Sequence, residues 1–132
     1  MSTTVKAALV ARLMGDAGVV ALVGSRVYPQ VVPQDAAMPA LAYQQISDRP
    51  EYSHTGFSSL SRTRFQITVE AETMASVDAA AQAVRIALRG VSWTFGTVTV
   101  YASFVDTDTD GYSDMRVAPV ERIDVVLSHN GE

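Results

Sequence analysis

Phe65, Ile67, Val69 and Ala71 alternate with Arg64, Gln66, Thr68 and Glu70, and an alanine-rich amphipathic stretch follows almost at once. Period-two alternation of apolar and polar residues is the pattern of a strand with one buried face. The stretch after it reads as a helix, capped by Thr73 or Ser76 and running to about Arg89. Val77, Ala81, Val84 and Leu88 form its apolar stripe, and Ala80 and Ala87 widen it. Asp78 near its start and Arg85 and Arg89 near its end complement the helix dipole, and Gly90 is a natural stop. A strand with one apolar face and a helix with one apolar stripe bury both by lying on each other. The chain is thereby pointed towards a sheet with helices on one side.

The remaining segments extend that scheme. Val5, Leu9 and Leu13, with Ala8 beside them, predict a first helix capped by Thr3 or Thr4 and ended by Gly15, with Lys6 and Arg12 outward. Asp16 can cap a short second helix carrying Val19, Val20, Leu22 and Val23, closed by Gly24. Pro29, Pro33 and Pro39 exclude a helix or central strand between Val27 and Pro39, leaving an extended edge or surface segment. Ala40 to Ile46 reads as a strand, and Ser47 to Ser61 as a long polar loop or hairpin tip. Trp93 and Phe95 alternate with Val91 as core residues. Val91–Phe95 and Val98–Val105 are strands around a Gly96-Thr97 turn. The last strand spans Val117 to Leu127, with Ile123, Val125 and Leu127 on one side. Pro119 limits its early part to an edge, and the tail from His129 to Glu132 is expected to fray. The expected fold is α+β: a mostly antiparallel sheet with two main helices packed on one face, a two-layer sandwich. One domain over 1–132 suits the length.

The chain holds no cysteine, which removes disulfides, thiolate zinc sites and cysteine nucleophiles. A net charge of −4 gives no overall basic field for nucleic acid. No apolar run nears the ~20 residues of a membrane span, and the first residues lack the pattern of a signal peptide. No phosphate-loop, nucleophile-elbow or dinucleotide-binding string occurs. The expectation is therefore no enzyme and no cofactor.

Two local patterns invite chemistry. Asp106-Thr107-Asp108-Thr109-Asp110-Gly111, with Asp114 following, matches the first part of a calcium loop, but Val117 stands where a bidentate Glu belongs. The reading preferred is a solvated Asp-rich turn between strands. Oxygen coordination by Asp106, Asp108 and Asp110 is the alternative, making the chain a calcium-dependent binding module. Arg49, Arg62 and Arg64 cluster around Tyr52 and Phe57, which allows a protein interface, a solvated strand face balanced by Glu51 and Glu70, or nucleic-acid contact. The interface is preferred. The histidines, His54 and His129, have no partner at metal-ligand spacing.

The ordered set Ala21-Leu22-Val23-Gly24-Ser25-Arg26-Val27-Tyr28-Pro29, Pro33-Gln34, Met38-Pro39-Ala40-Leu41-Ala42-Tyr43, Gln45-Ile46-Ser47, the strand from Arg64 to Ala71, the helix ending Ala83 to Gly90, and Arg122-Ile123-Asp124-Val125 resembles a known family. It is similar to the small tail-completion or tail-terminator proteins of long-tailed phages and gene-transfer particles, from about Ala8 to Leu127. Glu70-Ala71 departs from the family's bulky aromatic after the strand's valine. The resemblance implies a homo-oligomer, a hexameric ring on the finished tail tube. That ring ends tube polymerisation and joins the tube to the head-tail connector or stopper protein. It places the protein at the tail-neck junction of a virion assembled in a bacterial cytoplasm. DNA can pass through such a ring without sequence-specific binding, and no membrane is involved. Arg49, Tyr52, Phe57, Arg62, Arg64 and Tyr112 are the expected contacts between subunits or rings. A head-closure or stopper subunit of the neck is the nearest alternative.

Overall fold

Local capping decides where the helices begin. In the computed structural model, which describes residues 4–33, 35, 37–53, 56–113 and 118–130, with side chains outside 50–60 and 107–118, α1 spans Val5–Gly15. The Thr4 hydroxyl accepts from the Ala7 N–H at 3.2 Å. Asp16 does the same for α2 (Ala17–Val23), accepting from Val19 N at 3.1 Å. Thr73 caps α3 (Met74–Leu88) through Ser76 N. Each side-chain oxygen satisfies a backbone donor the helix itself cannot. At the far end of α3, Gly90 takes φ +62 with open space around it, a conformation that glycine adopts freely. The orphan carbonyl of Leu88 accepts from the buried Ser103 hydroxyl, and Gly90 N donates to Ser103 O at 2.9 Å. The helix end is thereby tied to the sheet.

The sheet has six strands: β1 (Val27–Pro29), β2 (Ala40–Ser53), β3 (Gly56–Glu70), β4 (Trp93–Phe95), β5 (Val98–Ser113) and β6 (Ala118–His129). Their order is β1-β2-β3-β6-β5-β4, antiparallel except for β1 on β2. The expected two-layer α+β arrangement is the one observed. On β3, Phe65, Ile67 and Val69 are buried, and on β6, Ile123, Val125 and Leu127. The stripe of α3 (Val77, Ala81, Val84, Leu88, with Ala80 and Ala87) packs against them, as do Leu9 and Leu13 of α1. Arg85 of α3 pairs with Glu121 on the inner face of β6. Trp93 Nε1 donates to Ala8 O at 3.0 Å, and Arg12 Nε to Ala87 O at 2.8 Å, joining α1 to β4 and α3. Arg12 is therefore not simply outward; its guanidinium also lies 5.8 Å from the Trp93 ring centroid.

Several expectations need correction. Of the two readings of Ser47 to Ser61, the hairpin is the one observed and the loop is not: β2 runs to Ser53 and β3 starts at Gly56, with Tyr52 opposite Phe57 and Ser53 opposite Gly56. Ser47, Asp48 and Arg49 are all exposed, and a polar, solvated strand pair has the composition of a loop. The Asp-rich stretch is likewise strand, since β5 runs to Ser113. Phe95 is exposed on edge strand β4, not core. His129 and Asn130 do not fray. His129 is buried, 2.7 Å from the Thr63 hydroxyl, and the Asn130 side chain accepts from Thr99 N at 2.7 Å. Pro119 sits on a central strand, but at a row where β6 has only β5 beside it, because the β3 ladder ends at Val120. His54, Asp114 and Val117 lie outside the described residues.

Two measurements check this packing. Thr63 donates to Asp48 Oδ1 at 2.8 Å, so the Nε2–H of His129 is the donor to Thr63. Thr63→Val should cost about 1–3 kcal/mol, read as a lower denaturant midpoint at unchanged slope. Ile67→Ala, deleting a fully buried side chain at the sheet centre, should cost about 2–5 kcal/mol in the same assay.

Candidate assembly surface

The helices cover one face of the sheet, and the opposite face carries Arg49, Arg62 and Arg64. On that face Arg64 of β3 lies opposite Ser47 of β2 and Val126 of β6, and Arg62 lies opposite Arg49 and Ser128. Ser47, Arg49, Arg62, Arg64 and Val126 line one open groove of about 440 Å³. Three arginines thus meet in one concavity. Two of them, Arg49 and Arg62, are direct cross-strand neighbours, an arrangement of like charges that is unfavourable in isolation.

Arg64 is held in place by acids. Its Nη2 lies 2.7 Å from Asp106 Oδ2 and its Nη1 3.5 Å from Asp124 Oδ2. The hydrogen bond to Asp106, with the charges of Asp106 and Asp124, raises the pKa of Arg64 above its ordinary value. The guanidinium therefore stays charged. Gln66 also reaches Asp124 at 3.5 Å. The pair is half-exposed and screened, so its role is to fix the position of Arg64 more than to stabilise the fold.

The structure brings five of the six expected contact residues onto one hairpin and sets the sixth apart. Arg49, Tyr52, Phe57, Arg62 and Arg64 all lie on β2–β3. Tyr112 lies on β5 opposite Pro119, near the end of the β5–β6 hairpin. The ladder shared by β3 and β6 runs from Ser61–His129 to Glu70–Val120. The β2–β3 hairpin continues past its Ser61 end, and β5–β6 past its Val120 end. The two hairpins therefore reach out at opposite ends of the sheet. The side chains of Tyr52, Phe57 and Tyr112 are outside the described set.

Three exposed apolar side chains were not anticipated: Ile46, Tyr101 and Phe104. Each lies at or near a bulge, between Gln45 and Ser47 on β2, and between Val100 and Ala102 and between Val105 and Thr107 on β5. A bulge shifts the alternation by one residue, so a core-type sequence turns outward. The calcium-loop alternative fares poorly, because Asp106, Asp108 and Asp110 lie along strand β5. An extended chain rises ~3.3 Å per residue, which sets the first and last of these about 13 Å apart along the strand. A single ion's shell is drawn much tighter than that. Among the described residues no cluster of three or more His, Asp or Glu is placed to hold a metal, and no helix is long and apolar enough to cross a membrane.

Comparison with known proteins adds the identity of the family. A search of curated proteins finds no match. Among solved structures, a chain from "Virion of native gene transfer agent (GTA) particle" is similar with a TM-score of 0.76 and 25% identity. The match covers 96% of this chain and 92% of that one. The family described as "Tail completion protein gp17" matches residues 7–121. That match takes in most of α1, then α2, strands β1 to β5 with the α3 helix, and the first residues of β6, so the chain belongs to the tail completion protein gp17 family and is a structural protein of a phage-type tail and its virion.

Proposed function

We propose that this chain forms a ring on the end of the tail tube, stops further tube polymerisation, and presents the surface to which the head is joined. The observation that carries the reading is the family match over residues 7–121. The near-complete structural overlap with a chain of a gene transfer agent virion supports it. A ring that stops a polymer must differ on its two faces, one matching the tube and one refusing the next tube subunit. Hairpins reaching out at opposite ends of the sheet supply two unlike surfaces within one subunit. Closing the ring requires a heterologous contact repeated around a rotation axis. Partners in this reading are further copies of the chain, the tail tube protein and the head-tail connector or stopper. The function is mechanical and uses no catalytic residue. On the β2–β3 side, Arg49, Tyr52, Phe57, Arg62 and Arg64 contribute to these contacts, and Tyr112 does so on the other.

Particles made without this chain should yield headless tails of uncontrolled length by electron microscopy, and purified protein should bind isolated tail tubes in preference to DNA-filled heads. Tails of normal length joined to heads in its absence would refute the reading. Preference for filled heads would move the protein to the head side of the neck.

A further inference from the structure

A crevice between α1 and the edge strand β4 has the make-up of a binding hot spot. Ala11, Arg12, Gly15, Trp93, Thr94 and Phe95 line a space of about 200 Å³. Arg12 is fixed there by its Nε bond to Ala87 O and by the Trp93 ring beside it. Among the described residues no acid pairs with it. Phe95 is 43% exposed, and Met14, next in the chain to Gly15, is exposed as well. Aromatic rings and arginine are the side chains that dominate interface energetics.

We propose that this crevice receives the tip of the β2–β3 hairpin from the next copy in the ring, Tyr52 and Phe57 entering beside Trp93 and Phe95, and Glu51 meeting Arg12. The proposal rests on the ring reading above, with the ring axis along the strands, and names one contact that closes the ring.

Symmetry carries the argument. A rotation about an axis along the strands changes neither the height of a residue nor which face of the sheet looks outward. Surfaces that meet between ring neighbours must therefore agree in height and in face, and must lie on opposite flanks. The hairpin tip and the crevice satisfy all three conditions. For height, one row crosses the sheet: Trp93 is opposite Val100, Val100 opposite His129, His129 opposite Ser61, and Ser61 opposite Pro50. Phe95 stands two residues beyond Trp93, and Tyr52 two beyond Pro50, both past the same end of the sheet. For face, Ser61, His129 and Val100 are buried on the helix-covered side, and Trp93 reaches α1 from that side. Phe95 is two positions from Trp93, Tyr52 two from Pro50 and Phe57 four from Ser61. These even steps keep the same face, since the register shift after Pro50 adds two residues on β3. For flank, β4 ends the sheet on one side. On the other, β1 covers β2 only at Leu41–Tyr43, so at the height of Pro50 the outermost strand is β2.

Charge agrees as well. From Pro50 to Leu60 the only Asp, Glu, Lys or Arg is Glu51, so the tip is acidic where the crevice holds an arginine. The β3–β6 ladder ends at Ser61–His129, which leaves the tip beyond its own copy's β6.

The chain has no cysteine, so introduced pairs are read without background. Phe95→Cys is combined in one chain with Tyr52→Cys, and separately with Phe57→Cys. Each is added to tails lacking the protein, ring formation is checked by electron microscopy, and a short bis-maleimide is then added. At least one pair should give a ladder of covalent multimers ending in a single closed species. The ladder should be absent from each single-cysteine variant and from Phe95→Cys with Ser113→Cys, which lies at the far end of the sheet. Rings with no ladder from either pair, or an equal ladder from the Ser113 pairing, overturn the docking and leave the ring reading standing. Wild-type protein that forms no rings on tails overturns both. Should the cysteine variants fail to assemble where wild type does, a double-variant cycle decides. Phe57→Ala and Phe95→Ala should each lower the apparent affinity for tails at least several-fold, and together no more than the worse of the two, because both remove one contact. Unchanged affinity in either variant, or losses that multiply, overturns the docking.

Discussion

Burial of one sheet face by one helix is the constraint on which the rest depends. Phe65, Ile67 and Val69 on β3 and Ile123, Val125 and Leu127 on β6 are adjacent rows of central strands, and the α3 stripe fills the space above them. Because β3 and β6 are neighbours in the sheet but distant in sequence, this contact sets the strand order. It places β2 and β5 outside them and, among the described residues, leaves 44–53 and 104–113 with a sheet neighbour on one side only. Arg85–Glu121 and the Ser103–Leu88 hydrogen bond lock the helix to the same face. The open face, the groove of arginines and both free edges follow from it.

Elements carried by local chemistry were legible in the sequence. Thr4, Asp16 and Thr73 cap the helices that hydropathy had outlined, and the alternation from Arg64 to Glu70 gave both the strand and its buried side. What was not legible depended on pairing. A hairpin arm with polar residues on both sides of Pro50 has the composition of a loop, and only its partner strand shows it to be extended. Bulges near Ile46, Tyr101 and Asp106 moved side chains across the sheet in a way that no periodicity reveals. His129 reads as tail because its partner, Thr63, is far away along the chain.

The candidate surface was half legible for the same reason. The arginines were visible as a cluster, since Arg62 and Arg64 stand at strand spacing and Arg49 lies across the hairpin. The restraint of Arg64 by Asp106 and Asp124 was not, because it joins three strands. The aspartates that resemble a calcium loop serve a different end on an extended strand, where one holds an arginine and the others border a free edge. Family membership identifies what the protein is part of, and the sheet's geometry shows which of its surfaces stay open.

The Asp48–Thr63–His129 chain ties β2, β3 and the end of β6 together at the level where the β2–β3 hairpin leaves the shared ladder. Its members sit on three neighbouring strands, and Thr63 and His129 are wholly buried. The hairpin is thus clamped at its root like a cantilever. A load applied to the free end, as when a neighbouring assembly docks, is passed into the body of the sheet and on to α3, so the subunit would answer as one rigid lever and not as a domain with a soft appendage.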